Sequence, residues 1–281
     1  MPQDDNQTMQ AMSCIALSLR AVGRKYLATS LLLIGGACFS GGAAAALSDE
    51  IQVYDDAINK PGEFGIELHL NTTPRGRKTP DYPGEIAPNR GWRITPEFSY
   101  GWTETLEAGF YLPLLRDEAG TSYFAGPKAR LKWLPQGVAE SGGGWFYGLS
   151  AELGHVGERF EASRTSLELR PILGYRNHDW LFVTNPVLGY DLSPGHRGGG
   201  PDFSPSFKVT RTLPQGLAAG FEYYTELGKL SHIRPGAEQG QTLYVVMDVD
   251  RAPWVFNIGM GRGLNQATDR WTLKAIFEVP F

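Results

Sequence analysis

Cysteine is nearly absent. The chain holds two, Cys14 and Cys38, both within the first 46 residues. Downstream of residue 46 there is thus no disulfide framework and no Cys-based metal or redox site. An excess of basic residues is also missing, since the formal net charge is −4, and this argues against nucleic acid as a partner. No run of about 18 apolar residues occurs, which excludes a membrane-spanning helix. His-Glu-x-x-His and Gly-x-Ser-x-Gly are absent, no base–nucleophile spacing stands out, and no cofactor or metal motif is visible. Gly259-Met260-Gly261-Arg262-Gly263 falls on an alternating segment, so it does not form a phosphate cradle.

Glycine (35 residues) and aromatics (12%) are instead abundant, a composition suited to many strands joined by tight turns. The N-terminus reads as an export signal. Arg20, Arg24 and Lys25 precede an apolar stretch from Tyr26 to Phe39, followed by Gly41-Gly42-Ala43-Ala44-Ala45-Ala46. A basic region, a short apolar region and a small-residue site predict cleavage after Ala46. A buried helix is the alternative, disfavoured by the flanking charge and the alanine run. Translation is expected to start near Met12, because the residues before it add nothing to a signal peptide. Lipid anchoring at Cys38 is not expected, since Gly35 stands where such a site carries leucine. Residues 47–63, with Asp49, Glu50, Asp55 and Asp56, are expected either in the periplasm or folded into a lumen.

From Phe64 onward, runs of 8–12 residues alternate apolar and polar, bounded by Gly, Pro, Asp or Asn. The predicted strands are 64–71, 92–100, 103–113, 122–133, 145–154, 165–175, 180–190, 203–212, 217–226, 241–250, 254–261 and 270–281. Residues two apart on a strand point the same way, so each strand has one apolar face and one charged face. A soluble sandwich or barrel turns its apolar faces inward, whereas a transmembrane barrel turns them to lipid. Three features favour the second. Long and short connections alternate, with one exception at 134–144, as in an up-and-down barrel with short periplasmic turns. Aromatics crowd the strand ends (Trp92, Tyr100, Trp133, Trp145, Trp180, Tyr190, Trp254, Trp271), where membrane barrels carry interfacial girdles. The chain also ends on Phe277, Val279 and Phe281, a terminal aromatic pattern resembling the signal read by the barrel-assembly machinery.

The expected fold class is therefore all-β: an antiparallel up-and-down transmembrane β-barrel of about twelve strands, residues 64–281, in the bacterial outer membrane and surrounded by its lipid. Pro96, Pro171, Pro186, Pro205 and Pro280 fall within the strands, where a missing N–H predicts bulges or early ends and leaves the count open by two. By alternation the lumen receives Glu67, His69, Arg93, Glu97, Tyr111, Lys128, Arg130, Lys132, Glu152, Arg170, Glu222 and Tyr224. Lys128, Arg130 and Lys132 form a basic ladder. Together these side chains make either a charged constriction that selects small solutes or a mutually neutralised plug. Tyr111, Phe146, Tyr224 and Tyr244 point the same way and suit a ring-bearing solute. His69, with Ser99 as a neighbour, is the one place a lipid-modifying activity would be sought. The expectation is that the chain is not an enzyme, and the oligomeric state is not legible.

Pro61-Gly62-Glu63-Phe64, Thr95-Pro96-Glu97-Phe98-Ser99-Tyr100-Gly101, Gly126-Pro127-Lys128-Ala129-Arg130-Leu131-Lys132-Trp133, Leu167-Glu168-Leu169-Arg170-Pro171 and the closing Trp271–Phe281 resemble the outer-membrane proteins associated with meta-cleavage phenol degradation. The resemblance spans most of the exported chain. It implies a barrel that takes up small aromatic compounds, and it carries over no catalytic residues.

Overall fold

The computed structural model describes residues 49–138, 142–251 and 254–280. Twelve wall strands run through them: β1 (Phe64–Arg75), β2 (Trp92–Thr103), β3 (Leu106–Tyr111, resumed at Leu114–Arg116), β4 (Ser122–Phe124, resumed at Lys128–Gln136), β5 (Gly144–His155) and β6 (Thr165–Arg176) form one half. β7 (Trp180–Asp191), β8 (Asp202–Leu213), β9 (Leu217–Glu226), β10 (Gly240–Arg251), β11 (Trp254–Gly263) and β12 (Trp271–Pro280) form the other. Each strand pairs antiparallel with its neighbours in sequence. β1 also pairs with β12 from Gly65↔Pro280 to Arg75↔Trp271, so the sheet closes on itself and leaves no edge. A 3-10 turn at Gly236–Glu238 is the one helical element among the described residues. Among the described residues no helix is long and apolar enough to cross a membrane.

The alternation sorts residues as the period of two requires. On β2, Trp92, Ile94 and Phe98 are exposed while Arg93, Thr95, Glu97 and Ser99 are buried. On β5, Trp145 is 74% exposed and Phe146 2%. An apolar outer face and a charged interior invert the arrangement of a soluble protein, and only surrounding lipid makes that inversion favourable. Trp102, Trp133, Trp145 and Trp180 crown one end of the wall, and Trp92 and Phe124 the other.

Among the described residues, the connections 104–105, 177–179 and 214–216, with 137–138 and 142–143 flanking β4 and β5, lie at one end, and 76–91, 117–121, 156–164, 192–201, 227–239 and 264–270 at the other. The exception expected at 134–144 shortens but persists: β4 extends to Gln136, and the seven residues 137–143 still outnumber the five of 117–121 at the other end. The short turns mark the periplasmic end and the long loops the outer end.

The wall departs from the predicted strands at prolines and glycines. β3 stops at Tyr111 before Leu112-Pro113, and β4 is interrupted at Ala125-Gly126-Pro127, so neither 103–113 nor 122–133 is one continuous strand. Gly126 (φ +135°) lies so close to β5 that a Cβ there would meet the His155 carbonyl. Prolines without an N–H line up across three strands. Pro186 on β7 faces Pro205 on β8, and the β6–β7 ladder breaks between Leu169↔Leu188 and Leu173↔Thr184, where Pro171 and Pro186 lie. Twelve strands survive because the proline belt costs ladder bonds rather than whole strands.

Candidate functional site: the occupied lumen

The interior is filled from the chain's own N-terminal side. Residues 49–60 have no regular secondary structure and run inside the barrel as a strap, from Asp49 beside β1 and β4 down to Lys60 at the periplasmic end. An irregular segment carries unpaired backbone groups and needs partners for them. The lumen side chains provide these. Asn71 Nδ2 donates to the Asp49 carbonyl (2.8 Å), Lys274 Nζ to that of Ile51 (2.9 Å), Arg170 Nη1 to that of Gln52 (3.0 Å) and Lys132 Nζ to that of Ala57 (2.5 Å). The Asn59 N–H donates to Glu107 Oε2 at 2.8 Å.

Tyr54 is the centre of the strap. Its N–H donates to Asn185 Oδ1 (2.7 Å), and Asn185 Nδ2 donates back to the Tyr54 carbonyl (3.0 Å). Its hydroxyl shares a hydrogen bond with Tyr111 at 2.8 Å. Its ring lies under three cations: Arg170 at 4.3 Å, and Arg130 and Lys132 at 5.1 Å each. Val53 completes an apolar patch with Phe146, Ile172, Leu181 and Val183 on β5–β7. Phe146 lies over Gly174 and Tyr244 over Gly261, the facing residues of the neighbouring strands, where a Cβ would collide with either ring.

The twelve lumen residues expected from the sequence all lie on the interior face, and most of the charges are paired. Lys128 reaches Asp49 (2.9 Å), Glu152 (3.3 Å) and Glu161 (3.9 Å). Arg130 binds Glu97 and, at 2.8 Å, Glu107. Arg170 holds Glu168 at 2.8 Å. Glu222 takes Lys274 at 2.5 Å and the Tyr224 hydroxyl at 2.6 Å. Lys128 and Arg130 of the basic ladder are thus neutralised by the strap and by neighbouring strands, and Lys132 is held by the Ala57 carbonyl. His69 faces Glu97 at 3.2 Å and Glu67 at 3.6 Å, while Ser99 Oγ accepts a hydrogen bond from Asn59 Nδ2. Histidine and serine therefore have separate partners and do not form a base–nucleophile pair.

Above the strap, a cavity of about 310 Å³ opens toward the outer end, lined by Glu50, Arg93, Glu152, Arg170, Tyr224 and Tyr244 among others. The two tyrosine rings meet edge to face at 5.4 Å. Tyr111 and Phe146 lie against the strap and are fully buried, so of the four aromatics expected to meet a solute only Tyr224 and Tyr244 reach this cavity. The 76–91 loop roofs part of it. Arg77 in that loop binds Asp81 and spans to Asp269 in the 264–270 loop (3.7 Å). Burial raises the Glu85 carboxyl above its ordinary range, against the opposing pull of the Asp81 N–H and Arg77.

Sequence reasoning missed Tyr54, Asn185 and Asn71 as lumen contacts. The available signal was charge complementarity: an acidic stretch, Asp49 to Asp56, ahead of a barrel with a basic ladder. The expected leader, residues 1–46, and the terminal Phe281 lie outside the described residues.

No family model matches the chain, and no curated relative does. Among solved structures it is similar to an outer membrane channel from Pseudomonas putida F1, with 12% identity, 83% of this chain and 100% of that chain covered, and a TM-score of 0.56. Weaker likenesses reach a KdgM porin in complex with disordered oligogalacturonate (9% identity, 77% and 98% covered, TM-score 0.45). They also reach outer membrane phospholipase A from Escherichia coli (8% identity, 79% and 97% covered, TM-score 0.41). At these identities the likeness is one of fold. A closed antiparallel twelve-stranded barrel with an apolar belt and a charged interior is an outer-membrane β-barrel, and it places the chain in the bacterial outer membrane among lipid.

Proposed function

We propose that the protein is an outer-membrane channel for small solutes, whose bore is set by the strap. One observation carries this reading. The lumen is closed by a segment held through side-chain hydrogen bonds and ion pairs, not by strand pairing. A barrel of twelve strands falls between those of about eight, filled by side chains, and those of about 16, which hold an aqueous channel. With the strap in place the interior suits a narrow path, and with the strap displaced it suits a wider one. Arg93, Glu152, Arg170 and Tyr224 line the cavity above the strap and would meet a solute first. The resemblance to barrels associated with phenol degradation, together with the Tyr224–Tyr244 pair, supports aromatic or hydrophobic solutes.

Planar-bilayer conductance and liposome flux test the channel. The intact protein is expected to show small conductance, and deletion of residues 49–60 to raise it several-fold. A folded deletion variant with unchanged conductance and no solute flux would overturn the proposal. That result would favour a closed envelope barrel acting through its outer loops, a reading motivated by the neutralised lumen.

A further inference from the structure

One part of the lumen wall carries more carboxylates than cations to meet them. At a single level, three adjacent strands carry carboxylates directly opposite one another: Glu278 on β12 faces Glu67 on β1, and Glu67 faces Glu97 on β2. Like charges in cross-strand register destabilise a sheet, more so where water is scarce. Arg130 binds this row only through Glu97 Oε1, and it shares itself with Glu107. Glu97 Oε2 turns the other way, toward His69 Nε2, as does Glu67 Oε2, a buried oxygen with no hydrogen-bond partner. His69 is fully buried, and its Nδ1 has no partner either.

We propose that Glu67, His69 and Glu97 form a binding site for a divalent transition metal of the zinc class. Two of the three donor separations already suit such an ion, and the proton that His69 Nε2 and Glu97 Oε2 share at 3.2 Å leaves on binding. One ligand atom from each residue lies within 4.8 Å of the others. A tetrahedral ion with ligands at about 2.0–2.2 Å holds its donor atoms about 3.3–3.6 Å apart, and His69 Nε2 lies 3.2 Å from Glu97 and 3.6 Å from Glu67. One imidazole nitrogen with two carboxylate oxygens suits zinc and its neighbours, whereas magnesium and calcium prefer all-oxygen sites. The ion's two positive charges offset the Glu67–Glu97 pair and leave Arg130 for Glu107. The site joins β1 to β2 one strand away from the β1–β12 closure, so a bound ion acts as a clamp on that part of the cylinder.

The experiment uses the full exported barrel, folded in detergent, stripped with chelator and titrated with zinc chloride at neutral pH. Metal is read by calorimetry and by elemental analysis after gel filtration. One zinc per chain is expected, with an X-ray absorption signature of nitrogen and oxygen ligands. Glu67→Gln is expected to weaken binding about tenfold or more, and His69→Gln to abolish the stoichiometric site. Replacing the loop residues His178 and His196 is expected to leave both unchanged. Heat-modifiable gel mobility confirms that each variant is folded, and Glu67→Gln keeps the test informative if the histidine variant does not fold. Absence of stoichiometric zinc in the folded wild type would overturn the proposal. So would Glu67→Gln binding as tightly as wild type, or magnesium binding as tightly as zinc.

Discussion

Lys274 and Glu222 are each 1% exposed and bind one another across the lumen. A buried pair of this kind adds little net stability while intact, but removing one partner strands the other charge. Glu222→Ala is therefore expected to destabilise the barrel by about 3–5 kcal/mol, measured by urea unfolding in detergent or lipid. Outward-facing residues obey the opposite logic. Leu131, 48% exposed near mid-height on β4, meets hydrocarbon. Leu131→Arg is expected to cost about 2–4 kcal/mol in the same assay, and a near-zero cost would contradict the membrane reading. Gly101 shows how finely the strap is fitted, since a Cβ there would meet the Lys60 and Asn59 carbonyls. Gly101→Val is expected to push the strap from its exit and raise conductance, with the wall strands intact by circular dichroism.

At the scale of elements, the strands were legible because a period of two is imposed by the pleat and sharpened by lipid. A charge at Leu131 or an apolar residue at Glu97 would meet the wrong solvent, so the pattern is strict on both faces. Strand interruptions were less legible. Leu112-Pro113-Leu114 reads as continuous alternation, and only the missing proline N–H reveals the break. The strap was legible only as one of two alternatives, periplasmic or folded into the lumen, since an irregular segment has no period to decide between them. What fixes it is a set of distant contacts, Tyr54 with Asn185 and Asp49 with Lys128, which no local pattern encodes. The basic ladder was visible as charge and Glu152 fell on the same lumen face by alternation, but the contact of Lys128 with Asp49 depended on where the strap would run. The strap's grip is testable at Asn185, which bonds both the N–H and the carbonyl of Tyr54. Asn185→Ala removes both bonds and is expected to increase open-channel noise in single-channel recordings, in the same direction as strap deletion but by less.

For the molecule as a whole, closure between β1 and β12 joins residues near the two ends of the wall, so nearly the entire chain must be present before the cylinder is complete. The lumen charges then lie within a closed wall, where added salt screens poorly. Raising ionic strength is therefore expected to change stability little. The strap has one more consequence, for anyone who labels this protein. Asp49, 1% exposed, lies inside the cylinder rather than beneath it. A small dye carried at position 49 itself is expected to be shielded from quenchers while the strap is seated and to become accessible when the occupant withdraws. Such a label makes a direct optical gauge of whether the pore is stoppered.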